Sequence, residues 1–209
     1  MKATTAILAA VTTTFVIAGT ADAGLLGTGA GFDIPDDDPV GASTSFVAGS
    51  SGQIAEITVN LDNLIHTWSG DLIMTLTHDA GAGDVVSATF VNRPGSTTDG
   101  GGTFGSGVDY AGNYSFNDAG DDLLTSLNSA GVSLAGGTYS HVALVGGTDA
   151  LSTFNGRDTA GTWTLNVSDN AQADTGTLGG WSVDVTTVPA PGALALLGIA
   201  GLAGRRRRG

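Results

Sequence analysis

Carboxylates are the reactive groups that this sequence supplies in quantity. Nineteen of its 20 acidic residues lie between positions 24 and 187, where Arg93 and Arg157 are the only arginines and there is no lysine. Asp33, Asp36, Asp37 and Asp38 form one cluster, Asp71 stands at the head of an apolar run, and Asp169 and Asp174 flank a short loop near the end. Calcium is bound by six to eight oxygens from carboxylates, carbonyls and water. The spacing is neither that of an EF-hand loop nor that of a calcium-binding repeat. Aspartate also caps turns through its own backbone, and solubility alone favours an acidic surface. Such a surface repels nucleic acid and anionic membranes. Zinc is disfavoured by the absence of cysteine and by three scattered histidines.

Nucleophilic catalysis requires a histidine base oriented by an acid and touching a nucleophile. Only His66, His78 and His141 are available, and no G-x-S-x-G elbow is present. His66 reads as a structural residue at a strand end and His78 as a turn residue. Trp163 and Trp181 occupy alternating positions and read as core. Trp68, in a loop-like stretch, has two readings: a sugar-stacking platform or a packed side chain. Tyr110 and Tyr114 carry the same two readings.

These residues must be positioned by short strands. Ala55, Ile57, Val59 and Leu61 alternate with Glu56, Thr58 and Asn60. Leu72, Met74 and Leu76 repeat the pattern, followed by Val86, Ala88 and Phe90. Trp163, Leu165 and Val167, then Trp181, Val183 and Val185, close the series. Only Asp121 to Ser129, with Leu123, Leu124 and Leu127, suggests a helix. With 34 glycines and many Asp, Asn, Ser and Thr residues between the runs, the expected class is all-β, a sandwich or jelly roll. No disulfide is available, so the core, bound metal or both must hold the fold.

The two ends read as processing segments. Residues 1–23 carry Lys2, an apolar stretch from Ile7 to Ala18 and Ala21-Asp22-Ala23, the layout of a secretory signal cleaved by signal peptidase between Ala23 and Gly24. Residues 188–209 carry Pro189-Ala190-Pro191, an apolar segment from Ala193 to Gly204, and Arg205, Arg206, Arg207 and Arg208. Twelve helical residues cover about 18 Å, short of a hydrocarbon core of roughly 30 Å. Positive-inside bias holds the arginines on the cytoplasmic side, so membrane contact through the tail is expected to be transient. This three-part order resembles the PEP-CTERM sorting signal, with Ala190 in place of the usual glutamate. The resemblance implies an exosortase-type enzyme as a partner and delivery to the cell surface or extracellular matrix.

Between these segments, residues 24–187 form one expected domain. Ile34-Pro35-Asp36, His66-Thr67-Trp68-Ser69-Gly70-Asp71-Leu72, Asn113-Tyr114-Ser115-Phe116-Asn117-Asp118 and Leu151-Ser152-Thr153-Phe154-Asn155-Gly156 follow in order. Then come Gly161-Thr162-Trp163-Thr164-Leu165, Ser168-Asp169-Asn170, Asp174-Thr175-Gly176-Thr177-Leu178 and Trp181-Ser182-Val183. The series resembles the P domain (P/Homo B), the β-sandwich that follows the catalytic domain in kexin- and furin-like subtilases. Where that family has an S-P-x-G-T turn, this chain has Thr77-His78-Asp79-Ala80-Gly81, read as a turn. The resemblance implies a non-catalytic module and a calcium site, for which Asp36, Asp71, Asp169 and Asp174 are the candidate ligands. The leading expectation is an exported, non-catalytic surface or matrix protein. The alternatives are a calcium-dependent polysaccharide- or peptide-binding module presenting Trp68, or an accessory acting in trans on a subtilisin-like serine endopeptidase.

Overall fold

The computed structural model describes residues 22–49, 51–95, 104–141 and 148–188. Most of the export signal and the sorting tail, with Pro189, Ala190, Pro191 and Arg205 to Arg208, lie outside the described residues. In chain order the elements are β1 (Asp22–Ile34), β2 (Asp38–Ala48), β3 (Gln53–His66), β4 (Leu72–Asp79) and β5 (Val85–Asn92). They continue with β6 (Asp109–Asp122), α1 (Leu123–Ser129), β7 (Ser133–Leu134), β8 (Gly137–Ser140), β9 (Gly161–Asp169) and β10 (Gly176–Val188). One sheet runs β1-β10-β3-β6, with β7 and β8 both parallel to β6; the other runs β2-β9-β4-β5. The expected all-β sandwich is therefore what the chain forms.

Period-two burial builds the two layers. Ile57, Val59 and Leu61 of β3 and Trp181, Val183 and Val185 of β10 face inward from one sheet. Leu72, Met74 and Leu76 of β4 and Trp163, Leu165 and Val167 of β9 meet them from the other. Tyr110 and Tyr114 of β6 are buried and cross edge-on with centroids 5.1 Å apart, so packing is the reading that holds for both. The short helix α1 lies where the leucine pattern placed it. Asp122 caps it by accepting from the Thr125 N–H at 2.7 Å, and Leu123 and Leu127 anchor it in the core. Asp122→Ala is expected to cost about 1 kcal/mol, the usual loss for an N-cap, read as a lower urea midpoint at unchanged slope.

Strands β1 and β2 escaped the pattern search. Gly27, Gly29 and Gly31 occupy alternate positions of β1, so the face toward Trp181 and Phe46 carries no side chains to count; Leu26, Phe32 and Ile34, which do reach the core, lie outside that alternation. A Cβ on Gly29 would lie 1.9 Å from Trp181 Nε1, and one on Gly27 would lie 2.4 Å from the Phe46 ring. The glycines leave space for two aromatic rings whose centroids are 5.2 Å apart. Trp181 Nε1 donates to Thr44 Oγ1 at 2.8 Å, and Thr44 donates to the Ala30 carbonyl at 2.7 Å, tying β10, β2 and β1 together.

The expected turn at Thr77–Gly81 is corrected. β4 continues through Asp79, paired on both sides with β5 and β9. His78 is a fully buried strand residue, stacked on Trp163 at 4.2 Å, with Nε2 donating to the Ala160 carbonyl at 3.0 Å. The turn is tighter and later, closed by Ala80 N–H to Asp84 O and Asp84 N–H to Gly81 O. Two neighbouring strands extend β4 further than the local glycine signal suggests.

The expected cleavage point also falls within an element. Ala23 and Gly24 lie in β1, opposite Thr186 and Val185 of β10. Cleavage there leaves Gly24–Ile34 of the strand in place. Among the described residues no helix is long and apolar enough to cross a membrane.

Candidate functional site

Strand register brings four connections to one end of the sandwich. Ile34 pairs with Gly176, and Gly176 with His66; Asp38 and Leu72 both pair with Asp169. The β1–β2, β3–β4, β5–β6 and β9–β10 connections therefore meet around a pocket of about 530 Å³. Gly70 packs so closely that a Cβ would lie 2.5 Å from the Ser106 nitrogen. Its own N–H donates to Ser106 O at 2.9 Å, and Ser69 N–H donates to Val108 O at 2.9 Å. Ser106 N–H in turn reaches Pro94 O.

Beneath the pocket lies a buried histidine–carboxylate pair. His66 and Asp169 are both inaccessible to solvent, with His66 Nε2 3.0 Å from Asp169 Oδ2. His66 Nδ1 accepts from the Trp68 N–H at 3.1 Å, which leaves the ring proton on Nε2, directed at Asp169. Asp169 Oδ1 accepts from the Ala171 N–H. Both nitrogens of His66 are thus committed to holding the β3–β4 connection against the end of β9. Of the nearby hydroxyls, Ser69 Oγ donates to Ser106 O. His66 therefore sits as a strand-end structural group.

Asp71 differs. It is 2% exposed, yet its Oδ1 has no hydrogen-bond partner among the described residues. The Arg93 guanidinium stands 3.8 Å away, beyond bonding distance, while Arg93 Nε donates to Gly70 O at 3.1 Å. Burial, reinforced by the negative charge of Asp169, pushes the Asp71 carboxyl up to about 6 from its usual 3.8, despite the opposing pull of Arg93. A raised folded-state pKa means that the native state holds the proton more tightly between these values, so stability falls as pH rises through about 6. Asp71→Asn, which fixes the neutral form, is expected to raise the melting temperature at pH 7.5. That advantage should vanish near pH 4 in paired thermal melts; a pH-independent difference would contradict the assignment.

The rim is built from the other loops. Trp68, Arg93, Phe104, Asn170 and Asp174 line the pocket with Asp71, as do Asp37 and Gln172. Trp68 is half-buried: its Nε1 donates to Phe104 O at 2.6 Å, and its ring packs over Gly107, while part of it faces the pocket. Asp174 Oδ1 accepts from Thr67 Oγ1, and Asp36 Oδ1 accepts from the Ala173 N–H. Asp37, Arg93 and Ala173 have φ of 52°, 44° and 87°, left-handed conformations costly for residues with a Cβ. Such strain gathers at functional sites when surrounding structure enforces it.

The fold therefore gathers Trp68, Asp71, Asp169 and Asp174 at one end, with Asp36 beside them, but in different roles. Asp169 is spent on His66 and on a loop amide. Asp36 and Asp174 each brace a loop through one oxygen. Among the described residues no three His, Asp or Glu side chains are arrayed to share one ion. Asp71 supplies the one orphaned buried carboxylate oxygen at the site. Sequence reasoning passed over Arg93, Phe104, Asn170 and Gln172. Arg93 carried a signal: it is one of two arginines in the acidic segment, and Pro94-Gly95 after it marks a turn.

The third histidine lies elsewhere. His141 Nδ1 is 3.5 Å from Asp118 Oδ1. Asp118 accepts the backbone N–H groups of Leu151 and Ser152 at 2.8 and 2.9 Å. Burial would raise its carboxyl, but the bonds to Ser152 and Leu151 outweigh burial and hold it below the usual range.

A sequence model of the proprotein convertase P-domain matches residues 135–185. The match takes in Asp169, Asn170 and Asp174 but not Trp68, Asp71 or Arg93. No curated protein sequence matches the chain. Among solved structures, it is similar to a serine protease of Aeromonas sobria in complex with the chaperone ORF2. That similarity has a TM-score of 0.45 at 14% identity over 81% of this chain. The Aeromonas sobria serine protease alone gives a TM-score of 0.42, also at 14% identity, over 79% of this chain. This chain spans about 28% and 27% of those two proteins.

Proposed function

We propose that this chain is an exported, non-catalytic module of the P-domain type that binds a ligand through the loop-end pocket. It would be matured by signal peptidase and an exosortase-type enzyme and kept at the cell surface or in the extracellular matrix. The observation that carries the binding role is Asp71: it lines an open pocket with Trp68 and Arg93, and its buried Oδ1 has no hydrogen-bond partner among the described residues. An unsatisfied buried charge costs stability, and a ligand that completes it recovers that cost. Left-handed residues on three of the four surrounding loops favour the same end. The P-domain match agrees with a role beside a separate protease, since P domains stand outside the catalytic unit.

Titration by heteronuclear NMR tests the binding role. Calcium, neutral oligosaccharides and basic peptides are added in turn to the full chain, and the amides of residues 68–71 and 170–174 are followed. Saturable shifts confined to these loops with any of these ligand classes are expected. Uniform silence there across all three would overturn the binding role.

Calcium is the second reading, favoured by the same Asp71 oxygen. Asp71 and the uncommitted oxygen of Asp174 would hold the ion, with backbone carbonyls and water completing the shell. A ligand present at 100 times its dissociation constant stabilises the folded state by about 2.7 kcal/mol. Excess calcium should then raise the melting temperature, chelator should lower it, and Asp71→Asn should remove the difference. Identical melts in calcium and chelator would exclude the ion.

A further inference from the structure

We infer that the pocket takes the cationic side chain of a basic peptide, an arginine or lysine end bonded to Asp71 and laid against Trp68. The inference rests on the ligand-binding reading above and names the ligand class. Calcium needs six to eight oxygens, whereas two of the four nominated carboxylates do not line the pocket: Asp169 is spent on His66 and the Ala171 amide, and Asp36 braces the Ala173 amide. An ammonium or guanidinium group needs less. One or two carboxylates and a flat aromatic wall suffice, through charge-assisted hydrogen bonds and cation–π attraction. The pocket is lined by Asp71, whose Oδ1 lacks a hydrogen bond among the described residues, by Asp174 on the rim, and by the indole of Trp68 with the exposed ring of Phe104 beside it.

Arg93 shows what the pocket accommodates and what it still lacks. Its guanidinium approaches Asp71 from one side but stops at 3.8 Å, tethered by the Nε bond to Gly70 O. Three carboxylates, Asp37, Asp71 and Asp174, therefore face one partly engaged cation. A second cation from a ligand would supply the hydrogen bond that Arg93 does not make. Long-range attraction points the same way, because the segment from 24 to 187 is strongly acidic. Arg205 to Arg208 would be removed with the tail in the maturation proposed above, so the cation comes from outside the mature chain. A basic segment of another protein has the same chemistry.

The test follows the Trp68 indole N–H resonance of the full chain. The probe is the peptide Gly-Arg-Arg-Arg-Arg-Gly, matching residues 204–209, with calcium and a neutral oligosaccharide as comparisons. The peptide is expected to move the resonance saturably. Asp71→Asn and Asp174→Asn should each weaken binding about tenfold or more, the worth of one charge-assisted bond. Glu56→Gln, which removes the same charge at the far end of β3, should leave binding within about twofold, as expected for a screened distant charge. If all three variants weaken binding equally, the attraction is diffuse and the inference falls. If only calcium or the oligosaccharide moves the resonance, the pocket still binds a ligand and this ligand class is wrong. If nothing moves it, both readings fall.

Discussion

Asp169→Ala is expected to destabilise the domain by about 3 kcal/mol, the upper range for leaving a buried donor without its carboxylate acceptor. His66 and Asp169 are both fully buried, so no water can replace the lost acceptor. The Nε2–H of His66 would be left unsatisfied, and the loop amide of Ala171 would lose its bond as well. Against a typical stability of about 5–15 kcal/mol, this is a large fraction, and a urea midpoint shift reports it directly. Asp169→Asn keeps an acceptor for the ring N–H and should cost distinctly less. It also removes a negative charge that helps to raise the Asp71 carboxyl, so the pH dependence assigned to Asp71 should shift downward in this variant. The comparison in chelator decides between two roles for Asp169. A structural partner of His66 loses the same stability with or without calcium. A calcium ligand would lose its effect once the metal is removed.

Trp181→Ala is expected to cost about 3–5 kcal/mol, the range for deleting a buried aromatic side chain. The indole is 1% exposed, lies over Gly29, contacts Phe46 and donates to Thr44. Its loss opens a cavity where β10, β1 and β2 meet. Gly29→Val supplies the complementary test. In the wild-type chain the new side chain would overlap the indole and cost about 1–3 kcal/mol through overpacking. In the Trp181→Ala background it would enter the vacated space. The double variant should therefore be more stable than the sum of the single losses predicts, with a coupling of about 0.5–3 kcal/mol. Strict additivity would mean that the glycine is needed for its backbone and not for the room it leaves.

The pocket and the core place different demands on the same loops. Gly70 and the Ser69 N–H bond fasten the β3–β4 connection to the β5–β6 connection, while His66 fastens it to β9. Asp71 is thereby held buried although its oxygen lacks a partner. A chain selected for stability alone would gain by replacing that carboxylate with an amide, which is what Asp71→Asn tests at pH 7.5. Retaining it has a use if a cation or a basic side chain completes the group.

How much of this was legible in the sequence differs by element. Strands β3, β4, β5, β9 and β10 alternate apolar and polar residues because each has one face on the core, and burial follows that alternation almost residue by residue. Asp122 and the leucines of α1 were equally readable, because a cap and its helix are local. By themselves these features determined an all-β sandwich with Trp163 and Trp181 inside. Tertiary structure alone decided the rest. β1 is a strand because Trp181 and Phe46 fill the space its glycines leave, and the pairing of Gly29 with Trp181 spans 152 positions, which no local window contains. His78 is in β4 because β5 and β9 pair with it on both sides. The aspartates that looked equivalent as candidate ligands separate into a histidine partner, two loop braces and one carboxylate with an oxygen left without a hydrogen bond among the described residues. That division depends on which side chains and amides the strand register brings within bonding distance, which residue type and spacing do not encode.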